Sequence, residues 1–526
     1  MRIVILGNGI SGVTCARHLR KLSDHDITLV SDESDEFFSR TALMYIYMGH
    51  LRERDTRPYE PWFWEKNRIQ RVRARIERID FQEKKLFSTE GKDIAYDKLV
   101  LALGSKSNKF GWPGQDLDGA HGLYHLQDLA AMERASERMR NAESGMRNQQ
   151  STINNQQFRA VIVGGGLIGV EMAEMFHSRR IPVTFLVREK EFWDNILPSE
   201  EAKMVSRHLR EHHIDLRLET ELKEIQAAPS MTGSVGAVLT NKGETIPCGF
   251  VGLTVGVSPN IDFLKNTALE INKGILVDEQ LKTNQPDVYA AGDCAELRQP
   301  PPGRRAIEAV WYTGRMMGET VAHNLIADCQ LTIDSTTSNQ QSTISNQQST
   351  ISNQQSAISN QQSTISNQQS TISNQQSAIN NQQSAINNQQ SYNPGVWFNS
   401  AKFFDIEYQV YGDIRARLPE NQETVYWEHP DGKRSIRINY EQESSRVIGF
   451  NLMGIRYRHE VCDKWIRDGA HIETVLQNLG LANFDPEFSS QYEAEIVAIY
   501  NRRTGKNLTL KQKRGLPAVL DFLQRG

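Results

Sequence analysis

The chain has 526 residues, 38% of them hydrophobic, with 60 basic and 64 acidic side chains and a net charge of −4; that length suits about three domains. The sequence shows no long basic stripe of the kind that grips nucleic acid, and no run of the roughly 20 apolar residues a membrane span needs. The five cysteines, Cys15, Cys248, Cys294, Cys329 and Cys462, form no close pair, which argues against a disulfide framework, zinc site or iron–sulfur cluster and for a reducing cytoplasm.

The first predicted element is an apolar strand, Arg2–Leu6, which runs straight into a glycine turn rather than into a signal-peptide pattern. The turn reads Gly7-Asn8-Gly9-Ile10-Ser11-Gly12 and leads into a predicted helix, Val13–Leu22. Each glycine has a reason. Gly7 makes the tight turn, Gly9 lets the backbone approach a pyrophosphate, and Gly12 allows close helix–strand packing. The pyrophosphate then sits on free N–H groups at the positive end of the helix dipole. A second strand, Asp26–Val30, ends at Ser31-Asp32. Asp32 is placed there to accept hydrogen bonds from ribose hydroxyls.

The same pattern returns after a short polar tract, NQQSTINNQQ, at 148–157. A strand at Ala160–Val163 meets Gly164-Gly165-Gly166-Leu167-Ile168-Gly169, a helix with Glu171 and Glu174 follows, and a strand at Val183–Val187 ends in Arg188-Glu189. Gly164, Gly166 and Gly169 repeat the three glycine roles. An acid at the strand end favours the 2′-hydroxyl of NADH and an arginine the 2′-phosphate of NADPH. Both are present, so the choice stays open, and a solvated strand end is an equal reading. Two dinucleotide sites in one redox chain point to a flavin and a nicotinamide, because a flavin accepts hydride and passes electrons on.

From Thr337 to Ser391 the chain repeats a seven-residue unit of the type SNQQSTI, with one isoleucine per unit from Ile344 to Ile386. A coiled coil needs two apolar positions per heptad, so an uncharged, disordered insertion is expected. The last segment alternates in ETVYWEH, KRSIRINY and RVIGFNLMG, then turns to helical patterns, which reads as antiparallel strands with helices.

Together these motifs resemble the pyridine nucleotide-disulfide oxidoreductase superfamily. The likeness is greatest to its branch of NADH oxidases, rubredoxin and ferredoxin reductases and apoptosis-inducing-factor-like proteins. Two further motifs carry the likeness: Asp97-Lys98-Leu99-Val100-Leu101-Ala102-Leu103-Gly104-Ser105, which leads out of the FAD domain, and Val288-Tyr289-Ala290-Ala291-Gly292-Asp293. The resemblance implies an α/β fold with two nested Rossmann-like domains and a C-terminal α+β interface-type domain. The FAD domain would be 1–112 plus 250–330, with the NAD(P) domain at 113–249 inside it. The repeat would span 331–393 and the interface domain 394–526, the latter a possible homodimer contact. It also implies that Asp293, beside Gly292, contacts the flavin's ribityl and phosphate region. A helix near Ala306 to Gly318 would point its N-terminus at the ring. Glu171 would lie near the nicotinamide as the catalytic carboxylate, and Arg40 would meet the FAD pyrophosphate or ribose.

The departures are equally specific. The CxxxxC pair and C-terminal His-Glu of disulfide reductases are missing. Ala42 stands where single-cysteine relatives hold their thiol, Tyr45 where some relatives have a lysine, and Asp485-Pro486-Glu487-Phe488 where relatives have His-Pro. The histidines show no metal-ligand spacing, so no metal is expected, and His212, His213 and His459 read as surface or structural. The expected function is therefore an FAD-dependent NAD(P)H oxidoreductase that uses no protein thiol. It would pass electrons to a small iron–sulfur protein or rubredoxin, a quinone, or oxygen. A redox-sensing flavoprotein and a flavin monooxygenase are the alternatives.

Overall fold

The computed structural model describes residues 1–147, 159–229, 231–330, 389–485 and 490–511. The tract at 148–157, the repeat at 331–388, the Pro486-Glu487-Phe488 motif and the tail beyond 511 lie outside the described residues.

The first sheet is parallel, in the order Val288–Ala290, Lys98–Leu101, Arg2–Leu6, Asp26–Ser31, Ile69–Arg73. Ile3, Val4 and Ile5 are all buried, as a strand covered on both faces requires. The second sheet is also parallel: Asp215–Arg217, Val183–Leu186, Ala160–Val163, Phe250–Leu253, Ala120–His121. Its chain segment lies between Lys98–Leu101 and Val288–Ala290, which are hydrogen-bonded neighbours in the first sheet. Following the sheets, we place the division after Leu253 rather than before Phe250, because Phe250–Leu253 pairs with Ala160–Val163. The continuous apolar run FVGL suits either sheet, so composition could not assign it.

The first helix spans Ile10–Leu22, with Gly9 as its N-cap, three residues earlier than the pattern suggests. Across it runs a helix at 311–330. Gly314 and Gly318 of that helix face Ser11 so closely that a Cβ at either position would meet the Ser11 side chain or backbone.

The C-terminal unit is a five-stranded antiparallel sheet, ordered Phe398–Phe403, Ile406–Gly412, Val447–Met453, Ser435–Glu441, Gln422–Glu428. Three of these strands follow the alternation seen in sequence. The hairpin Phe398–Gly412 was not foreseen, because its two-residue turn, Phe404-Asp405, lacks glycine and Phe404 adopts φ 55°. Helix Ser199–Glu211 packs against this sheet through Glu201, which is fully buried. Glu201 accepts bonds of 2.7 and 2.9 Å from Arg437 and 3.1 Å from Asn451. The outcome is an α/β protein with two Rossmann-like sheets and an α+β terminal unit, as expected.

Candidate active site

The two glycine turns have matching geometry. Gly7 and Gly164 both adopt positive φ, +118° and +106°, and a Cβ on either would collide with a neighbouring carbonyl, that of Ala102 or Thr254. Gly12 and Gly169 abut the carbonyls of Gly7 and Gly164 in the same way. By contrast, Gly9 and Gly166 face open space, and each is the N-cap of its helix. Free backbone N–H groups with no side chain in front of them suit the close approach of a pyrophosphate. Both turns therefore fit a dinucleotide.

Beside the first turn lies a cleft of about 930 Å³, large for a small-molecule site, lined by Gly7, Gly9, Asp32, Arg40, Gly104, Gly292 and Asp293. Leu167, Ile168 and Glu171, from the helix of the second turn, line the same cleft. So do Ala309, Val310, Trp311 and Tyr312, where the helix at 311–330 begins. That start is five residues later than Ala306. The preceding segment is held instead by a buried Arg304–Glu308 pair, with a 2.7 Å bond from Arg304 Nε to Glu308.

Asp293 sits in the one-turn helix Gly292–Cys294. Its Oδ2 accepts hydrogen bonds from Tyr124 (3.0 Å) and Ser105 (3.2 Å). The Tyr124 hydroxyl in turn accepts the Ser105 N–H at 2.9 Å. Burial pushes the Asp293 carboxyl above its ordinary range, against these bonds and the charge of Arg40. Gly104 (φ +65°) leaves just enough room for the Tyr124 hydroxyl, since a Cβ there would lie 3.0 Å from it.

Arg40 enters the cleft already paired. Its guanidinium holds both oxygens of Glu33 at 2.9 and 2.6 Å and also donates to the Tyr124 carbonyl. Burial alone would raise the Glu33 carboxyl, but bonds from His125 and Arg40 outweigh it and hold the group down to about 2. Asp32, one residue earlier, is exposed on the cleft wall, where a ribose could reach it.

Glu171 opens on the cleft while the protein surrounds the rest of it, and burial, helped by the charge of Glu174, pushes its carboxyl up to about 7. Glu174, one turn on, is bound by Lys402 of the terminal sheet at 2.7 Å. At the second strand end, Arg188 donates to its neighbour Glu189 at 2.8 Å and is otherwise largely exposed. Tyr45 points to His50, and Ala42 is buried at the end of the turn Arg40–Ala42. All five cysteines are free and buried; burial pushes Cys248 and Cys294 up to about 12 and Cys15 higher still.

Tyr124, Ser105, Glu33 and Lys402 complete the site and were not singled out in sequence. Of these, Ser105 closes the motif Asp97–Ser105 and Glu33 stands next to Asp32, while Tyr124 and Lys402 lie in no motif.

Fold and cleft define an oxidoreductase built to bind two dinucleotides. The family described as pyridine nucleotide-disulphide oxidoreductase matches residues 1–324, and the chain belongs to it: it is an FAD-dependent NAD(P)H oxidoreductase. It is 30% identical to rhodocoxin reductase of Rhodococcus erythropolis over 310 residues, 58% of this chain and 67% of that protein. It is 26% identical to rubredoxin-NAD(+) reductase of Pseudomonas putida over 338 residues, 64% of this chain and 80% of that one. In fold it is similar to a NAD-dependent persulfide reductase from A. fulgidus. There the TM-score is 0.70 at 20% identity, covering 96% of this chain and 84% of the other. Among the described residues, no helix is long and apolar enough to cross a membrane.

Proposed function

We propose that the chain passes electrons from NAD(P)H through FAD to a small redox protein of the iron–sulfur or rubredoxin class. The observation that carries this is the shared cleft, in which Glu171 and the start of its helix face the first glycine turn and Asp293. Bound FAD would supply the chemistry, since a flavin accepts two electrons as hydride and releases them singly. The names of the rhodocoxin and rubredoxin reductases support the acceptor class.

Each residue then has a role. Gly7, Gly9 and Gly12 cradle the FAD pyrophosphate and Asp32 takes the ribose. Arg40, Gly104, Gly292 and Asp293 complete the flavin side. Gly164, Gly166 and Gly169 cradle the second pyrophosphate, with Arg188 and Glu189 at its ribose. Glu171, poised near neutrality, holds or releases a proton at the cleft floor beside the nicotinamide. Five free, buried thiols support a reducing, cytoplasmic setting. We extend the reading to a homodimer through the terminal sheet, which sedimentation velocity checks.

The test is anaerobic stopped-flow reduction by NADH and by NADPH, followed by a panel of rubredoxin, [2Fe–2S] ferredoxin, quinone and oxygen. Fast reoxidation by one of the two proteins is expected. Rapid turnover confined to quinone or oxygen would overturn the acceptor class.

A further inference from the structure

Away from the cleft, helix Ser199–Glu211 ends beneath the tip of hairpin Phe398–Gly412. His208 lies in its last turn, 1% exposed. His212 is four residues on and so on the same helix face. Its ring stacks on Phe404 with centroids 4.4 Å apart. The turn carries Asp405 to both histidines: Oδ1 lies 2.6 Å from His208 Nε2 and 3.0 Å from His212 Nε2. The second oxygen, Oδ2, accepts from Lys433 at 3.1 Å.

His208 is the telling residue. Neither of its ring nitrogens has a hydrogen-bond partner among the described residues, although carboxylate oxygens stand nearby. Asp405 Oδ1 is 2.6 Å from Nε2 and Glu211 Oε2 is 3.5 Å from Nδ1, both within ion-pair range. A buried polar group left without a partner is costly, so both nitrogens have ligand-binding capacity to spare. One ligand atom from each of His208, His212 and Asp405 lies within 4.8 Å of the others. His212 Nε2 and Asp405 Oδ1 already share a hydrogen bond of 3.0 Å, and His208 Nε2 stands close enough to both for one ion to take all three.

We propose that His208, His212 and Asp405 bind a divalent transition metal of the zinc class, with water in the fourth position. Two imidazoles and a carboxylate suit zinc, cobalt or nickel rather than calcium or magnesium. Metal–ligand distances of about 2.0–2.2 Å place tetrahedral ligand atoms roughly 3.3 Å apart. Asp405, more than half exposed at the hairpin tip, therefore withdraws by less than about 1 Å. Glu211 stands where a second carboxylate orients a metal-bound histidine through its other nitrogen. The metal ties the helix of the second sheet to the terminal sheet, a structural role outside the redox cleft. In sequence the His-x-x-x-His spacing passed unnoticed because its third ligand lies almost two hundred residues on.

The experiment uses untagged, flavin-loaded, full-length protein stripped with chelator and titrated calorimetrically with Zn²⁺. Elemental analysis after dialysis should find a single zinc per chain, and zinc should raise the thermal midpoint. His212→Ala and Asp405→Asn, both partly exposed, should each weaken binding by about 100-fold, at least what losing a mere supporting partner costs. Both should keep their flavin and lose the thermal shift. His323→Ala tests the other such group among the described residues, His18, Glu319 and His323, and should leave binding unchanged. Wild-type affinity no greater than that of the two variants would overturn the site and leave a plain histidine–carboxylate contact. Loss of binding in His323→Ala with retention in the other two would move the metal elsewhere and equally overturn it.

Discussion

Tyr124 and Ser105 both donate to the same oxygen of Asp293, at 3.0 and 3.2 Å. Two residues 19 positions apart thus meet one carboxylate 169 and 188 positions further on, in the cleft wall. Asp293→Ala should lower flavin affinity by about 1.5–3 kcal/mol, roughly 10- to 150-fold, the scale of a hydrogen bond to a charged group. Tyr124→Phe keeps the carboxylate and should cost less. Flavin-to-protein ratio and fluorescence titration measure both. Unchanged flavin content in Asp293→Ala would remove Asp293 from the site.

Glu171 gives a pH signature of definite sign. Burial pushes its carboxyl up to about 7 in the folded chain, against an ordinary 4.5. Between those values the native state holds a proton that the unfolded chain has released, so stability falls as pH rises through the window. The full effect is at most about 3.5 kcal/mol, from roughly 1.4 kcal/mol per unit. Glu171→Gln should flatten the profile and be the more stable protein at pH 8. Thermal midpoints from pH 4 to 8 test it; parallel curves for the two proteins would sink the assignment.

The Glu201–Arg437 pair makes a different kind of claim. Both side chains are buried, and two bonds of 2.7 and 2.9 Å join them. Without Arg437, Glu201 keeps only Asn451, and without Glu201, Arg437 keeps as carboxylate partner only the half-exposed Glu200 at 2.7 Å; breaking a buried pair typically costs about 3–5 kcal/mol. Glu201→Ala should therefore destabilise strongly, and Glu201→Met with Arg437→Met together should cost much less than the sum of the two single changes. Urea unfolding of the four proteins settles it, and strict additivity would deny the coupling.

What was legible in sequence was local. Phosphate turns demand glycine at fixed short spacing, so Gly7, Gly9, Gly12 and their counterparts were readable, and strands Arg2–Leu6 and Ala160–Val163 were bounded correctly. Gly9 capping the first helix moved its start to Ile10, because the turn itself supplies the cap. Contacts across the fold were not readable. Tyr124 reaches Asp293 over 169 positions and Lys402 reaches Glu174 over 228, and neither lies in a motif. The Phe404-Asp405 turn was hidden because an aromatic residue at positive φ defies the usual turn chemistry. Arg40, expected to meet the FAD pyrophosphate or ribose, lines the cleft with its guanidinium held bidentately by Glu33, a pairing that depends on how the loop after the second strand folds back.

We propose that nucleotide choice turns on Arg188 and Glu189, at the end of the strand Val183–Leu186. Arg188 is largely exposed and leans on Glu189, so it is free to swing toward a 2′-phosphate. If it does, Arg188→Ala should weaken NADPH by about 1–3 kcal/mol and spare NADH. Stopped-flow dissociation constants for both nucleotides decide this. Equal losses would return Arg188 to a solvated strand end.

Electrons should pass through the protein without a thiol. Cys15 and Cys294 lie nearest the glycine turn and the Asp293 turn, and both are completely buried. Cys294 accepts the Leu103 N–H at 3.3 Å and donates toward the Leu101 carbonyl at 3.4 Å, a packing role between two strands of the first sheet. Burial pushes its thiol up to about 12, whereas a relay needs a thiolate near neutrality, stabilised by a cation or base. A variant with Cys15, Cys248, Cys294, Cys329 and Cys462 all replaced by Ala or Ser should therefore reduce its flavin and turn over a dye acceptor within a few-fold of the wild-type rate. Some stability will be lost, since small buried side chains are being exchanged in tight cores, so rates are compared at matched flavin content and well below the thermal midpoint. A folded, flavin-loaded variant with turnover abolished would make one of these buried thiols catalytic, and restoring the cysteines one at a time would identify it.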